Sequence, residues 1–435
     1  MTPISPLKHG APFAFDAGSA ALLTTRAPET RPTLIEVRRV SKVFGVREAE
    51  ALAMLKAGED RATVLAKTGT AVGLNQVSFD VVEGEILVVM GLSGSGKSTL
   101  LRCLNRLVQP SSGTIRVRGA DVTAMAPAAL RSFRRHTFGM VFQHFALFPH
   151  RTILENVEFG LAVQGMAKAA RRDSAMRAIE LVGLKGWDAH YPSQLSGGMK
   201  QRAGLARALA ADAAVLLMDE AFSALDPLIR RDMQQELVEL QNRLQKTIVF
   251  VSHDLDEAIA LGGRIVLMKD GAVVQLGYAE EILINPATPY VARFVEHIDV
   301  ASVIKVGALL ASVPLLLRTH DEPGAAAARL EAAGQASALV VDEAGRLEGR
   351  AGVAALRQAQ RGGHGVGHAV EPCPRVHVSA TIKAALPVVA GEAEPVAVVD
   401  DDGLLQGTVD RVGVCNALAR RSQVPQHAKA AEVMA

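Results

Sequence analysis

Aromatic residues are scarce in this 435-residue chain, where they account for 4% of the sequence and include a single Trp. Cysteine is scarcer still, with three residues spaced far apart, Cys103, Cys373 and Cys415. An odd number of widely separated cysteines matches neither a disulfide framework nor a zinc motif. We therefore expect reduced thiols, as in a cytosolic protein.

Long apolar runs and a strong charge of one sign are also missing. No run approaches the ~20 apolar residues that a membrane-spanning helix needs. Residues 1–33 show no convincing cleavage site of a signal peptide and no helix or strand period, so we expect a disordered extension there. The 47 basic residues nearly balance the 45 acidic ones, for a net charge of +2. This balance argues against a nucleic-acid partner, which would require clustered Lys and Arg.

The chain is rich in short apolar runs that alternate with helical patterns. Strand-like runs cover residues 34–40, 72–82, 85–90, 114–117, 137–142, 214–218 and 247–252. Helical patterns cover residues 47–67, 99–107, 127–135, 152–186, 195–210 and 228–244. The alternation predicts an α/β fold with a parallel sheet. Its ligand should bind at the carboxyl ends of the strands.

A glycine-rich loop, Gly91-Leu92-Ser93-Gly94-Ser95-Gly96-Lys97-Ser98, lies between one such strand and one such helix. Strand, glycine loop and helix form the context in which this pattern binds a polyphosphate. Glycines let backbone N–H groups approach the phosphates, and the helix N-terminus adds partial positive charge. Lys97 would reach the β- and γ-phosphates, and the Ser98 hydroxyl would ligate Mg²⁺.

Four further patterns follow at strand or helix ends. Asp219-Glu220 ends a fully apolar strand, Ser223–Asp226 comes directly after it, Ser196-Gly197-Gly198 precedes a helix, and His253 follows the last strand. An acidic pair after a strand is by itself more often a solvated turn, and a Ser-Gly-Gly turn is more often a helix cap. The phosphate loop upstream favours the functional interpretation of both.

Together and in this order, these motifs closely resemble the nucleotide-binding subunit of an ATP-binding-cassette (ABC) transporter, over residues 34–295. The resemblance implies a P-loop ABC fold with a RecA-like core, an antiparallel β layer and a helical subdomain. It implies ATP and Mg²⁺ as cofactors and Glu220, His253 and Gln143 as catalytic residues. The implied nucleotide-binding residues are Phe44, Gly91, Ser93, Gly94, Ser95, Gly96, Lys97, Ser98, Thr99, Ser196, Gly197, Gly198 and Asp226. The implied Mg²⁺ ligands are Ser98, Gln143 and Asp219.

The same resemblance implies partners. A second phosphate cradle at Ser196–Gly198 has no use in one chain unless it serves another copy, so we expect a head-to-tail dimer with ATP sandwiched between the copies. Integral-membrane permease subunits and, indirectly, an extracytoplasmic substrate-binding protein would complete the system. The expected location is peripheral, on the cytoplasmic face of the inner (plasma) membrane.

Three features resemble the ATPase subunit of glycine betaine/proline importers: a helical insert at residues 47–70, the segments 143–150 and 218–230, and a repeated C-terminal module. The implied function is ATP-driven import of osmoprotectants. Import of another quaternary amine, such as choline or carnitine, is the main alternative. A soluble ABC ATPase of DNA repair or translation fits the near-neutral charge less well. A vestigial nucleotide sensor is disfavoured because no catalytic motif is degraded.

The C-terminal repeat is visible in residues 338–349 and 395–407, which share an apolar strand, an acidic Gly turn and a second strand. Chance similarity between two hairpins is the alternative. The pair resembles cystathionine-β-synthase (CBS) modules. Neither copy has the Asp that holds an adenosine ribose in many such modules, which argues against adenosine nucleotides. A regulatory role, sensing ionic strength or a cyclic dinucleotide, and an inert dimerisation role both stay open.

These observations divide the chain into five predicted parts. They are an extension (1–33), an ABC domain (34–297), two CBS modules (298–370 and 371–425) and a flexible tail (426–435).

Overall fold

The computed structural model describes residues 31–419. The predicted tail, and the predicted extension up to residue 30, lie outside the described residues. Contacts divide the described chain into two compact units. The larger contains residues 31–311, 379–396 and those from 409 on, and the smaller contains residues 312–378 and 397–408. The larger unit thus continues beyond residue 297, where we placed the end of the ABC domain.

The first part of the larger unit mixes both element types, with a helical pair between its first two strands. Its elements are β1 (Thr33–Phe44), α1 (Glu48–Lys56), α2 (Arg61–Thr68), β2 (Ala71–Val82), β3 (Ile86–Met90), α3 (Lys97–Leu104), β4 (Ser112–Val117), β5 (Ala120–Asp121), α4 (Pro127–Thr137) and β6 (Phe138–Phe142).

The next part begins with helices and returns to strands. Its elements are α5 (Ile153–Val163), α6 (Lys168–Leu181), a 3₁₀ turn (Pro192–Gln194), α7 (Gly197–Ala210), β7 (Val215–Asp219), α8 (Pro227–Leu244), β8 (Thr247–Val251), α9 (Leu255–Leu261), β9 (Arg264–Lys269), β10 (Ala272–Gly277), α10 (Ala279–Ile284), α11 (Pro289–Phe294), α12 (Val300–Val303) and a 3₁₀ turn (Val306–Leu309).

A six-stranded sheet in the order β10-β9-β3-β8-β7-β6 forms the centre of the larger unit. The pairs from β9 to β6 are parallel, and β10 is an antiparallel edge strand. All residues of β3 and β8 are buried, as expected for strands covered on both faces. The predicted parallel α/β sheet is present.

A second, antiparallel sheet in the order β2-β1-β4-β5 covers one side. Its buried residues share one apolar cluster with β3, β7, β8 and α3, which includes Ile35, Leu74, Val89 and Leu101. The other face of the central sheet packs against α5, α6, α7 and α8 through a second cluster centred on Phe222 and Phe250, whose rings lie 5.5 Å apart. These layers fix the positions of the loops at the carboxyl ends of the central strands.

The remaining elements repeat one order, strand-helix-strand-strand-helix, twice. The first set is β11 (Leu316–Arg318), α13 (Pro323–Ala332), β12 (Ser337–Val341), β13 (Leu347–Gly352) and α14 (Val353–Arg361), followed by a 3₁₀ turn (Val366–Ala369). The second set is β14 (Arg375–His377), α15 (Ile382–Gly391), β15 (Val396–Val399), β16 (Leu405–Val409) and α16 (Arg411–Ala419). Each set has a three-stranded sheet whose first two strands are parallel.

Candidate active site

The glycine loop leaves β3 and leads directly into α3. Gly91, Gly94 and Gly96 have φ values of 145°, 76° and 102°, which L side chains rarely adopt. A Cβ at Gly96 would lie 2.4 Å from the carbonyl oxygen of Gly73, so that position has no room for a side chain. Ser95 is buried, and its N–H donates to the Leu92 carbonyl at 3.1 Å. The loop is therefore tightly folded before α3 begins.

Lys97 is the first residue of α3 and is almost fully buried. Its Nζ donates to the carbonyl oxygens of Gly91, at 2.8 Å, and Leu92, at 3.1 Å. Burial lowers the pKa of Lys97, whereas the nearby carboxylates of Glu220 and Asp219 raise it. The ammonium group thus lies inside the curve of the loop, where it can reach an anion held by the loop.

Asp219 ends β7, beside the start of α3. The Ser98 hydroxyl donates to Asp219 Oδ1 at 3.1 Å. Burial raises the pKa of Asp219, and the Ser98 hydrogen bond opposes that shift. A hydroxyl and a carboxylate oxygen at this separation are the hard ligands that Mg²⁺ prefers.

Glu220 and His253 follow the neighbouring strands β7 and β8. Glu220 has a φ of 47°, and its N–H donates to the Val251 carbonyl at 3.1 Å, which fixes the turn. Its Oε2 lies 3.4 Å from His253 Nδ1. The His253 side chain is 57% exposed and that of Glu220 23%, so the carboxylate is the more enclosed of the pair.

The loop that carries His253 is held by a buried polar group. Glu257 is 5% exposed, accepts a hydrogen bond from the Ser252 hydroxyl, and accepts another from Gln234 Nε2 at 3.2 Å. Burial raises the pKa of Glu257. Ser252 also accepts from the N–H of Asp254 at 3.0 Å, so the residues on both sides of His253 are fixed.

One cleft of about 640 Å³ brings most of these residues together. Its lining residues are Phe44, Arg61, Ala71, Val72, Gly73, Leu92, Ser93, Gly94, Gly96, Lys97, Ser98, Thr99, Glu220 and His253. Phe44 is the last residue of β1 and is 46% exposed, so its ring face is accessible to a planar group. Because the first N–H groups of a helix have no intrahelical acceptor, those of Lys97, Ser98 and Thr99 are suited to an anion.

Several residues expected at the site do not line this cleft. Gln143 follows β6, whose last residue pairs with Asp219, and is half-buried. Ser196, which is exposed, caps α7 by accepting from the Met199 N–H at 3.3 Å. Asp226 caps α8 in the same way through the N–H groups of Leu228 and Ile229.

The turn before α7 lies against the start of α8. A Cβ at Gly198 would be 2.8 Å from Ile229, and one at Gly197 would be 3.7 Å from Leu225. The Ser196–Gly198 turn and the Ser223–Asp226 segment are therefore neighbours, away from the cleft lining of their own chain.

Arg61 is the charged cleft residue that the sequence analysis missed, and Ala71, Val72 and Gly73 are further lining residues that it did not name. It is the first residue of α2, in the helical insert whose purpose the sequence left open. Asp60, just before it, caps α2, because its side chain accepts a hydrogen bond from the Thr63 N–H at 2.7 Å. An Arg directly after a cap, in an insert that begins beyond Phe44, was the available signal.

Similarity to known proteins identifies the family of this chain. A family profile described as ABC transporter matches residues 74–223. The glycine betaine transport ATP-binding protein OpuAA of Bacillus subtilis is 45% identical over 91% of this chain and 94% of its own length. The chain belongs to the ABC transporter ATP-binding proteins.

Two other members have similar identity. The glycine betaine/carnitine transport ATP-binding protein GbuA of Listeria monocytogenes is 48% identical over 72% of this chain and 79% of its own length. The glycine betaine/proline betaine transport system ATP-binding protein ProV of Escherichia coli is 41% identical over 88% of this chain and 99% of its own length. This ABC transporter ATP-binding protein is thus a nucleotide-binding ATPase coupled to transport. Between residues 31 and 419, no helix has both the length and the apolar character of a membrane span.

Proposed function

We propose that this chain is the ATP-hydrolysing subunit that drives import of glycine betaine/proline-type osmoprotectants through a partner permease. The cleft carries the proposal, because it combines the phosphate loop with an accessible aromatic ring, a carboxylate and a histidine. The three relatives named above support the substrate class, since their names all include glycine betaine transport.

The nucleotide would lie along this cleft. Phe44 would stack on adenine, and residues 91–99, including Ser93, Gly94 and Ser95, would surround the phosphates. Lys97 would exchange its two carbonyl contacts for phosphate oxygens, which it can do because its Nζ already lies inside the loop.

Ser98, Asp219 and Gln143 would hold Mg²⁺. No group of three or more His, Cys, Asp or Glu between residues 31 and 419 is arranged to hold a metal. A hydroxyl and one carboxylate suffice for Mg²⁺, because phosphate oxygens and water usually fill its other positions. When bound, the ion would neutralise charge that develops on the transferred phosphoryl group.

Glu220 would polarise the attacking water, and His253 would contact the γ-phosphate. Both residues line the cleft, and the Glu220 carboxylate lies 3.4 Å from the His253 ring nitrogen, so one bound phosphate could be reached by both. Catalysis of this reaction depends on such positioning, because the protein itself forms no covalent bond.

A second copy of the chain would complete the site. Ser196–Gly198 and Asp226 are not among the residues that line the cleft of their own chain, yet the turn stands at the N-terminus of α7, which is suited to an anion. In a head-to-tail dimer each copy would offer this turn to the other copy's ATP. Closure of the dimer would drive the permease, with the dimer at the cytoplasmic face of the inner membrane and an extracytoplasmic protein delivering substrate.

The C-terminal elements would form a tandem CBS regulatory pair, with boundaries at about residues 298, 370 and 425. The repeated strand-helix-strand-strand-helix order supports this. The pair would adjust ATPase activity to ionic strength or to a small ligand.

Glu220→Gln tests the catalytic assignment. The variant should bind ATP, accumulate as an ATP-bound dimer and hydrolyse about 10²–10⁴-fold more slowly, the range that general-base catalysis contributes. The exposed Glu239→Gln on α8 is the control and should match the wild type. Hydrolysis by Glu220→Gln at the wild-type rate would contradict the proposal.

Reconstitution with the permease in liposomes tests the substrate. ATP-dependent uptake of labelled glycine betaine that rises steeply with internal salt would support both the importer and the regulatory pair. Uptake that does not change with internal salt would contradict only the proposed salt-sensing role of the C-terminal pair. The name of the Listeria relative favours carnitine as the second candidate. ATPase activity with carnitine uptake but no betaine uptake would select it.

A further inference from the structure

The helical insert between β1 and β2 is a folded element with its own small core. Ala51, Leu55 and Val64 of α1 and α2 pack with Val43 and Val72 from the two strands that flank the insert. Gly69 ends α2 with a φ of 67°, a left-handed cap that reverses the chain. The insert is therefore held firmly on the end of the β1–β2 pair.

This anchoring places Arg61 at the tip of the phosphate loop. Its Nη1 donates to the carbonyl oxygen of Gly94 at 2.8 Å. Arg61 also lines the cleft together with Phe44 and Lys97. The guanidinium group thus contacts the phosphate loop and lies in the same cleft as the predicted adenine-stacking ring.

No carboxylate among the residues that the structure describes pairs with the remaining donors of Arg61. A guanidinium has five N–H groups in a rigid plane, and the Gly94 contact uses one of them. Within residues 31–419 no carboxylate oxygen lies within 4.0 Å of Arg61, whereas Arg47 of the same insert is 3.7 Å from Glu50. A half-buried arginine in this situation is suited to a phosphate group, which it can bind through two parallel hydrogen bonds.

We propose that Arg61 is a nucleotide-binding residue supplied by the insert, with its guanidinium bridging the Gly94 carbonyl and the phosphate chain of the bound nucleotide. The inference rests on the proposed binding of ATP in this cleft. It gives the insert a role at the nucleotide, in the cleft that Glu220 and His253 also line.

Binding of Mg-ADP to the purified full-length chain tests this inference, measured by calorimetry for wild type, Arg61→Gln, Arg61→Lys and Arg61→Ala. Arg61→Gln keeps a donor for Gly94 but removes the charge. It should raise the Kd by about 10–100-fold, the range expected for a lost hydrogen bond to a charged group. Arg61→Lys should fall between Arg61→Gln and the wild type, because it keeps the charge without the planar fork.

Salt dependence separates phosphate contact from mere support of the loop. Screening weakens a charge–phosphate interaction, so the wild-type Kd should rise with salt more steeply than that of Arg61→Gln. Arg47→Gln, which removes a charge from the same insert away from the cleft lining, should leave both the Kd and its salt dependence unchanged.

Two results would overturn the inference while leaving the proposed function intact. One is wild-type affinity in Arg61→Gln, and the other is a weaker Kd with an unchanged salt dependence, which would assign Arg61 to loop support alone. If the folded wild-type chain bound neither ADP nor ATP, the proposed function itself would fail.

Discussion

Replacement of Asn156 by alanine should loosen residues 143–152, the segment between β6 and α5 that we propose contacts the permease. Asn156 lies on α5 and is fully buried. Its Oδ1 accepts from the Phe148 N–H at 2.7 Å, and its Nδ2 donates to the carbonyls of Phe148, Arg151 and Thr152 at 3.1, 3.1 and 2.9 Å. One side chain therefore holds residues 148–152, which belong to no helix or strand.

The expected cost follows from the groups left without partners. A buried polar group that loses its partner costs about 1–3 kcal/mol. Phe148 is half-buried, so water can reach part of the segment after the substitution. The carbonyls of Phe148 and Thr152 keep backbone donors, the N–H groups of Arg151 at 3.2 Å and of residue 156 at 2.9 Å, so only the Phe148 N–H and the Arg151 carbonyl are counted. Two such groups cost about 2–6 kcal/mol, and partial access of water favours the lower half, so we expect Asn156→Ala to lower the free energy of unfolding by about 2–4 kcal/mol.

Urea unfolding followed by circular dichroism measures this change, and hydrogen exchange at the Phe148 amide measures the local opening. Gln164→Ala at the end of the same helix is the matched control. Its amide also donates to two carbonyls, of Arg135 and Ala211, but it is only half-buried and should cost less than about 1 kcal/mol. In the reconstituted system, Asn156→Ala should reduce transport more than ATP hydrolysis by the subunit. An unchanged urea midpoint with unchanged Phe148 exchange would refute the reasoning.

Three further predictions concern the site and its surroundings. Gly96→Ala should weaken ADP binding at least about tenfold, because a non-Gly residue with this φ costs about 1–3 kcal/mol and its Cβ would meet the Gly73 carbonyl. Gly58→Ala, at a left-handed position in open space, is the control and should leave ADP binding unchanged. Equal Kd values for the two variants would contradict this prediction. Asp219→Asn should raise the Tm by about 2 °C in the absence of Mg²⁺. Burial raises the pKa of Asp219 in the folded state above its value in the unfolded state, so the wild type loses stability as pH rises between those two pKa values. The Tm advantage of Asp219→Asn should therefore be largest above the folded-state pKa and vanish below the unfolded-state pKa. A Tm difference that does not change with pH would count against this prediction. Burial raises the pKa of the Cys103 thiol to about 12, whereas Cys415 is exposed. A thiol reagent should therefore label Cys415 in the native protein and Cys103 only after unfolding, which mass spectrometry of the labelled peptides measures. Equally fast labelling of both cysteines in the native protein would contradict the burial of Cys103 in α3.

The phosphate loop was predictable because its information is local. Eight consecutive residues, preceded by a buried strand and followed by a helix, specify both the turn and the direction of its N–H groups. The structure has these flanking elements as β3 and α3. Asp60 and Gly69 were predictable for the same reason, since each acts on a helix end within a few residues of itself.

Other contacts depend on tertiary packing and have no local signal. From the sequence alone, Asn156 is indistinguishable from other polar residues of an amphipathic helix. It is buried because α5 packs against residues 148–152, to which its side chain is hydrogen-bonded. The support of His253 by Glu257 likewise requires α9 to follow β8 at a particular angle, which the sequence motif around His253 does not specify.

The position of the insert follows from strand register. Phe44 pairs with Ala71 at the ends of β1 and β2, so everything between them is a connection at the tip of an antiparallel pair. Register shifts between Val37 and Val43 bend this pair, and such bulges change the direction in which a strand end points. The adenine-stacking candidate Phe44 is therefore three positions from the start of the insert, and the insert residue Arg61 lines the same cleft. The sequence contains both the aromatic residue and the insert, but only the pairing explains why Arg61 and the phosphate loop, which are 33 positions apart in the chain, meet at Gly94.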